Sequence, residues 1–226
     1  MDAETLGRRV EPIPSGFDRA TWESVRRRAA ADGPKGPRFL IVYAGTLHRL
    51  HDPAMFFSGL RRLLDTGVPE QSVAFVYLGH HTARVLAEAD RHGVRHVVVA
   101  DGRVPVREAR LAMARADLLL LLASVNGESG IPGGKLYEYL AAGPPILAVP
   151  DTDSYVMGVL RDARAGDGAS TPDEVADALL RRYTAWRDGI AISRPLRDLG
   201  AFSWSARAER VSALLGGRVA GLGGAA

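Results

Sequence analysis

From residue 38 onward, short runs of consecutive apolar residues alternate with stretches whose apolar residues recur every three or four positions. The runs are RFLIVYAG (38–45), VAFVYLG (73–79), HVVVADG (96–102), LLLLLASV (118–125) and PILAVP (145–150). Helical periods fall between and after them, at 53–65, 82–93, 105–116, 135–142, 154–163 and 172–186. A strand that is apolar along its whole length has both faces covered, and parallel sheets sandwiched between helices meet that condition. The pattern therefore predicts an α/β fold, a doubly wound parallel sheet of the Rossmann-like kind. Ligands of such sheets sit outside the carboxyl ends of the strands.

The flanks break the alternation. Residues 1–37 hold no strand pattern, only EPIPSGFD and a charged, helix-like stretch at 21–32. Residues 191–226 hold SRPLRDL, an extra amphipathic helix at 201–215 and a Gly/Ala-rich tail after Gly216 that is expected to fray. This divides the chain into a linker-like segment (1–37), the sheet domain (38–190) and a C-terminal helix with its tail (191–226), and both flanks read as connectors. A chain of 226 residues, 46% hydrophobic, supports one well-buried domain but not two of the nucleotide-binding size.

Composition removes several function classes. With no cysteine there are no disulfides or thiolate metal sites, and a reducing, cytoplasmic setting is expected. The first residues contain no apolar run of the secretory kind, and the longest run in the chain is too short to cross a bilayer, so no integral membrane segment is expected. The net charge is +3, with the basic residues scattered and RRR at 26–28 the densest group. A nucleic-acid surface would need a basic stripe with stacking aromatics, so nucleic acid is not an expected partner. His80 and His81 follow the second run, where they can cap a helix; a metal site would need a third ligand that no standard spacing offers. His92 and His96 read as solvated.

The segment NGESGIPGGKLYEYLAAGPPILAVP (126–150) carries the most chemistry. A strand ends near Val125, a loop containing Gly127, Gly130, Gly133 and Gly134 follows, and a helix begins at about Lys135. Glycines let backbone N–H groups approach a ligand, and the first turn of a helix leaves such donors unpaired, so the junction suits a pyrophosphate. Lys135 and Glu138, three apart, share a helix face near that mouth. The cation can neutralise phosphate oxygens while the carboxylate accepts hydrogen bonds from sugar hydroxyls. The competing reading is a surface ion pair worth about 0.2–0.5 kcal/mol. Gly143 and Pro144-Pro145 then end the helix.

KLYEYLAAGPPILAVP resembles the donor-site segment of family 4 retaining glycosyltransferases of the GT-B fold. Three further pieces resemble the family in order and spacing. PIPSGFD (12–18) is similar to the interdomain linker, YAGTLHRLHDP (43–53) to the first strand and glycine loop of the C-terminal half, and VADGRVPVREARLAMARADLLLLL (99–122) to the elements before the donor loop. The resemblance implies a single GT-B half that binds a nucleoside-diphosphate sugar without cofactor or metal. The acceptor-binding half would be a separate N-terminal domain or subunit, and this chain alone would be inactive. A non-catalytic nucleotide-sugar-binding module is the alternative.

The resemblance also implies roles for particular residues. Gly45 and Thr46 let backbone approach the diphosphate, Lys135 with Gly133 and Gly134 meets the phosphates, Glu138 holds the ribose, and the turn at Gly102, Arg103 and Val104 lies near the base. The first-loop basic residue falls at His51 in the simplest register, with Arg49 as the alternative. The family's other glutamate, eight positions before Glu138, falls on Gly130; Glu128 fills that role if the loop holds two extra residues.

Overall fold

The computed structural model describes residues 11–33, 35–47, 51–122, 134–152, 154–190 and 195–222. Six parallel strands form one sheet in the order β3-β2-β1-β4-β5-β6, the doubly wound arrangement expected from the sequence. The strands are β1 (Phe39–Ala44), β2 (Val73–Leu78), β3 (Val98–Gly102), β4 (Leu118–Leu122), β5 (Ile146–Val149) and β6 (Gly166–Gly168). The helices are α1 (Arg19–Ala31), α2 (Ala54–Asp65), α3 (Thr82–Arg91), α4 (Val106–Arg115), α5 (Lys135–Ala142), α6 (Ser154–Asp162), α7 (Pro172–Arg187) and α8 (Trp204–Leu222).

Alternation along the strands explains the continuous apolar runs. Ile41 and Tyr43 of β1, with Leu118, Leu120 and Leu122 of β4, pack beneath α2, α3 and α7, beside Phe56, Leu60 and Leu179. Val42 and Ala44, with Leu119 and Leu121, pack on the opposite face beside Leu136, Tyr139 and Leu140 of α5. Each side chain is buried whichever way it points, so no polar alternation is tolerated.

Three boundaries differ from the sequence expectation. The third strand begins at Val98 because Arg95–Val97 form a 3-10 turn. A sixth, three-residue strand, Gly-Asp-Gly, pairs with β5 through Ile146↔Gly166 and carries no apolar signature. Helix α8 runs on to Leu222, through the stretch after Gly216 that was expected to fray. Local signals hold elsewhere. Thr171 accepts the Glu174 N–H at 3.2 Å and Glu174 returns a bond to the Ser170 N–H at 2.7 Å, starting α7 in the manner of a capping box. Gly143, at φ 107°, closes α5.

The two flanks meet each other. Phe17 and Ser203 form a parallel bridge, with the Phe17 N–H donating to the Phe202 carbonyl at 3.2 Å and Trp204 N–H to Phe17 carbonyl at 3.0 Å. Arg207 bonds the Ser15 carbonyl at 3.2 Å, and Arg210 pairs with Glu11. Helix α1 is anchored by Trp22, fully buried, and by Arg26, which bonds the Ala141 carbonyl at 2.7 Å. The segment that reads as a linker thus packs on the domain from Phe17 onward. Among the described residues no helix is long and apolar enough to cross a membrane.

Candidate functional site

The carboxyl ends of β1, β2 and β3 open into a cleft of about 340 Å³ walled by α4 and α5. Gly45 and Thr46 come from the end of β1, Gly79 and His80 from the end of β2, Arg103 and Val104 from the turn after β3, and Arg110 and Glu138 from the two helices.

Three phenols behind the lining brace the end of β1. The Tyr43 and Tyr77 rings stack at 5.5 Å. The Tyr43 hydroxyl donates to the Thr46 carbonyl at 3.1 Å, and Tyr77's accepts the Leu47 N–H at 3.3 Å while donating to the His80 carbonyl. The Ala44 N–H at the end of β1 donates to the Tyr139 hydroxyl of α5 at 2.9 Å. Burial pushes the phenols of Tyr43, Tyr77 and Tyr139 up, so they stay protonated and act as fixed struts. Thr46 and Leu47, at the start of the loop after β1, are therefore tied down before any ligand arrives.

Glycine is required here, for its backbone angle at Gly45 and for room at Gly79. The Gly45 N–H is taken by the Leu78 carbonyl at 2.8 Å. At φ 131°, however, a Cβ on Gly45 would lie 2.8 Å from Cε and 3.1 Å from Nζ of Lys135. A Cβ on Gly79 would lie 2.0 Å from the Gly45 carbonyl oxygen, so the ends of β1 and β2 meet backbone to backbone.

Lys135 and Glu138 do not pair with each other; each has its own partner. Lys135 donates to the Tyr43 hydroxyl at 2.6 Å, its ammonium 3.9 Å from the centre of that ring. Burial pushes its pKa down to about 8 from the usual 10.5, because the charged form loses water that a phenol and a ring replace incompletely. Glu138 receives both forks of Arg110, Nε at 2.9 Å and Nη2 at 3.0 Å. The surface-ion-pair alternative for the two α5 residues is thereby set aside.

The other sequence candidates divide as follows. Thr46 and Arg103 line the cleft, and Gly134 sits exposed at the start of α5. His51 is absent from the described lining; its carbonyl accepts a bond from Arg84 at 2.9 Å. Arg49, Glu128, Gly133, Gly127 and Gly130 lie outside the described residues. His81 stands just before α3, at its N-cap position with φ 68°, and makes no side-chain cap, whereas His80 lines the cleft. His92, expected to be solvated, is half-buried against Glu88 at 3.2 Å.

Arg110 and Tyr43 carry no signal of a site role in the sequence, and His80 reads there only as a helix cap. His80 follows directly on the end of a central strand, where ligands of such sheets collect, and that position was a usable signal. Arg110 looks like any helix arginine until the tertiary contact is known. A second cavity, about 350 Å³, lies at the amino ends of the strands beside Trp186. Its Lys35 and Asp117 are tied to each other at 2.7 Å and to the Ala116 carbonyl and Leu40 N–H, so those charges serve the fold.

A single doubly wound domain with a glycine-bearing loop and a helix start at its carboxyl edge has the fold of one half of a GT-B glycosyltransferase. Solved structures bear out that fold. The chain resembles HepE from Anabaena in complex with UDP (TM-score 0.66, 16% identity, covering 95% of this chain and 60% of that one). It likewise resembles the trehalose 6-phosphate synthase of Burkholderia multivorans (0.66, 15%, 93% and 51%). WaaG, a glycosyltransferase involved in lipopolysaccharide biosynthesis, is a further match (0.55, 18%, 80% and 49%). The chain thus spans about half the length of the solved structures it matches. No family model and no curated protein matches it.

Proposed function

We propose that the chain is the donor-binding half of a retaining glycosyltransferase and binds a nucleoside-diphosphate sugar in the β1–β3 cleft. The observation that carries this reading is the convergence, in one cleft at the carboxyl edge, of the Gly45–Thr46 loop and the Glu138 carboxylate, with the Lys135 ammonium behind that loop. The diphosphate lies along the loop toward the start of α5, where the Lys135 ammonium and the first helical N–H groups are the nearest positive charge. The ribose hydroxyls donate to Glu138, and the base lies against Arg103 and Val104. Residues 49 and 51 compete for the outer phosphate contact. HepE, of the same fold, was solved with UDP and glucose, which favours a nucleotide of this class here too.

Transfer needs an acceptor held against the donor, and we assign that wall to a second domain, whether on the same polypeptide or another. Calorimetry with UDP, GDP and ADP tests the donor reading. Binding of at least one at micromolar to millimolar concentration is expected, and no heat with any of the three would defeat the assignment.

A further inference from the structure

We infer that Arg110 is a positioning residue, one that sets the Glu138 carboxylate for the two ribose hydroxyls; the inference rests on the donor reading above. Glu138 is a long side chain on the wall of a cleft, about a quarter exposed (27%), and left alone it would sample several rotamers. Arg110 removes that freedom. Its two nitrogens meet the two carboxylate oxygens at 2.9 and 3.0 Å, a fork against a fork that fixes the carboxylate plane. Each carboxylate oxygen has two lone pairs, so the fork occupies one on each and leaves one on each free. Two acceptors in a fixed plane match the two adjacent hydroxyl donors of a ribose.

Arg110 is itself held from behind. Its guanidinium carbon lies 5.9 Å from the ring centre of Trp22, which is fully buried, and the Asp18 carboxylate that caps α1 attracts it from the same side. The support runs from α1 through Arg110 to Glu138, three separate segments of the chain. An isolated, partly exposed ion pair would add about 0.2–1 kcal/mol to stability and nothing to ligand choice. The two roles therefore separate on ligand discrimination.

The test uses the full chain and the one of UDP, GDP and ADP that binds best, together with its 2′,3′-dideoxy analogue. Arg110→Lys keeps the charge over Trp22 and loses the fork; Arg110→Met loses both. Both variants should weaken the ribonucleotide about tenfold, as for a lost hydrogen bond to a charged group, and the dideoxy analogue less than about twofold. Glu138→Gln should show the same split, and the Arg110→Met/Glu138→Gln double variant should bind no worse than Glu138→Gln alone. Equal losses on both nucleotides would mean that Arg110 touches phosphate or base directly and would overturn the positioning role. So would additive losses, or variants that bind like the parent. A parent chain that binds none of the three nucleotides would overturn the donor reading, and this one with it.

Discussion

Lys135 is where the proposed site can be tested most sharply, because its charge sits at the edge of what its surroundings sustain. In the free chain the ammonium is packed between the Tyr43 ring and Gly45, and burial pushes its pKa down to about 8. The unfolded value is the usual 10.5, so between pH 8 and 10.5 the unfolded chain holds more protons than the folded one. The Lys135 contribution to folding stability should therefore be least favourable below pH 8 and rise through that window, by about 3 kcal/mol at most. Nucleotide binding runs in the opposite sense. A diphosphate beside Nζ favours the charged form, so binding is at full strength below pH 8 and weakens as the free chain loses its proton. The phosphates are already ionised there and do not contribute. From pH 7 to pH 9 the charged fraction falls about tenfold, and the affinity should fall about tenfold with it. Calorimetry at the two pH values, repeated in buffers of different ionisation enthalpy, should show proton uptake near pH 8. Lys135→Met, close to lysine in shape, should bind more weakly at pH 7 by about 1.5–3 kcal/mol and show no fall between pH 7 and 9. Parallel profiles for parent and variant would refute the placement of phosphate against Lys135.

Three other outcomes follow from the structure. Gly79→Ala places a carbon 2.0 Å from the Gly45 carbonyl oxygen and should cost about 1–3 kcal/mol in urea unfolding, with a loss of nucleotide binding as the β1 loop is displaced. Trp22→Ala empties a fully buried site beneath α1 and should cost about 3–5 kcal/mol, read as a lower urea midpoint at an unchanged slope. The chain assayed alone should bind donor and transfer no sugar, since holding donor and acceptor in one geometry supplies roughly 7–11 kcal/mol of barrier reduction. Robust transfer by the purified chain would show that an acceptor site is built from residues within it.

What was legible in the sequence was what repeats locally. Five strands, the eight helices, the Gly143 stop and the Thr171 start each announce themselves within a short window, because period and capping are short-range chemistry. Strand β6 escaped for the same reason: Gly-Asp-Gly has no apolar side chain to form a pattern, and it exists because Gly166 fits flat against the Ile146 backbone. The candidate site was legible only on one side. Gly45, Thr46, Lys135 and Glu138 stand at positions that strand ends and helix starts pick out. Their partners do not. Tyr43 meets Lys135 across 92 positions, and Arg110 meets Glu138 across 28. Nothing in the local composition of α4 separates Arg110 from the other arginines of that helix, Arg107 and Arg115. Only the sheet order, which brings α4 and α5 together over β1 and β4, turns one of the three toward the cleft. The loop that should carry the diphosphate is thus written in the chain as glycines. The contacts that hold Lys135 and Glu138 are made by a phenol and a guanidinium that tertiary structure alone selects.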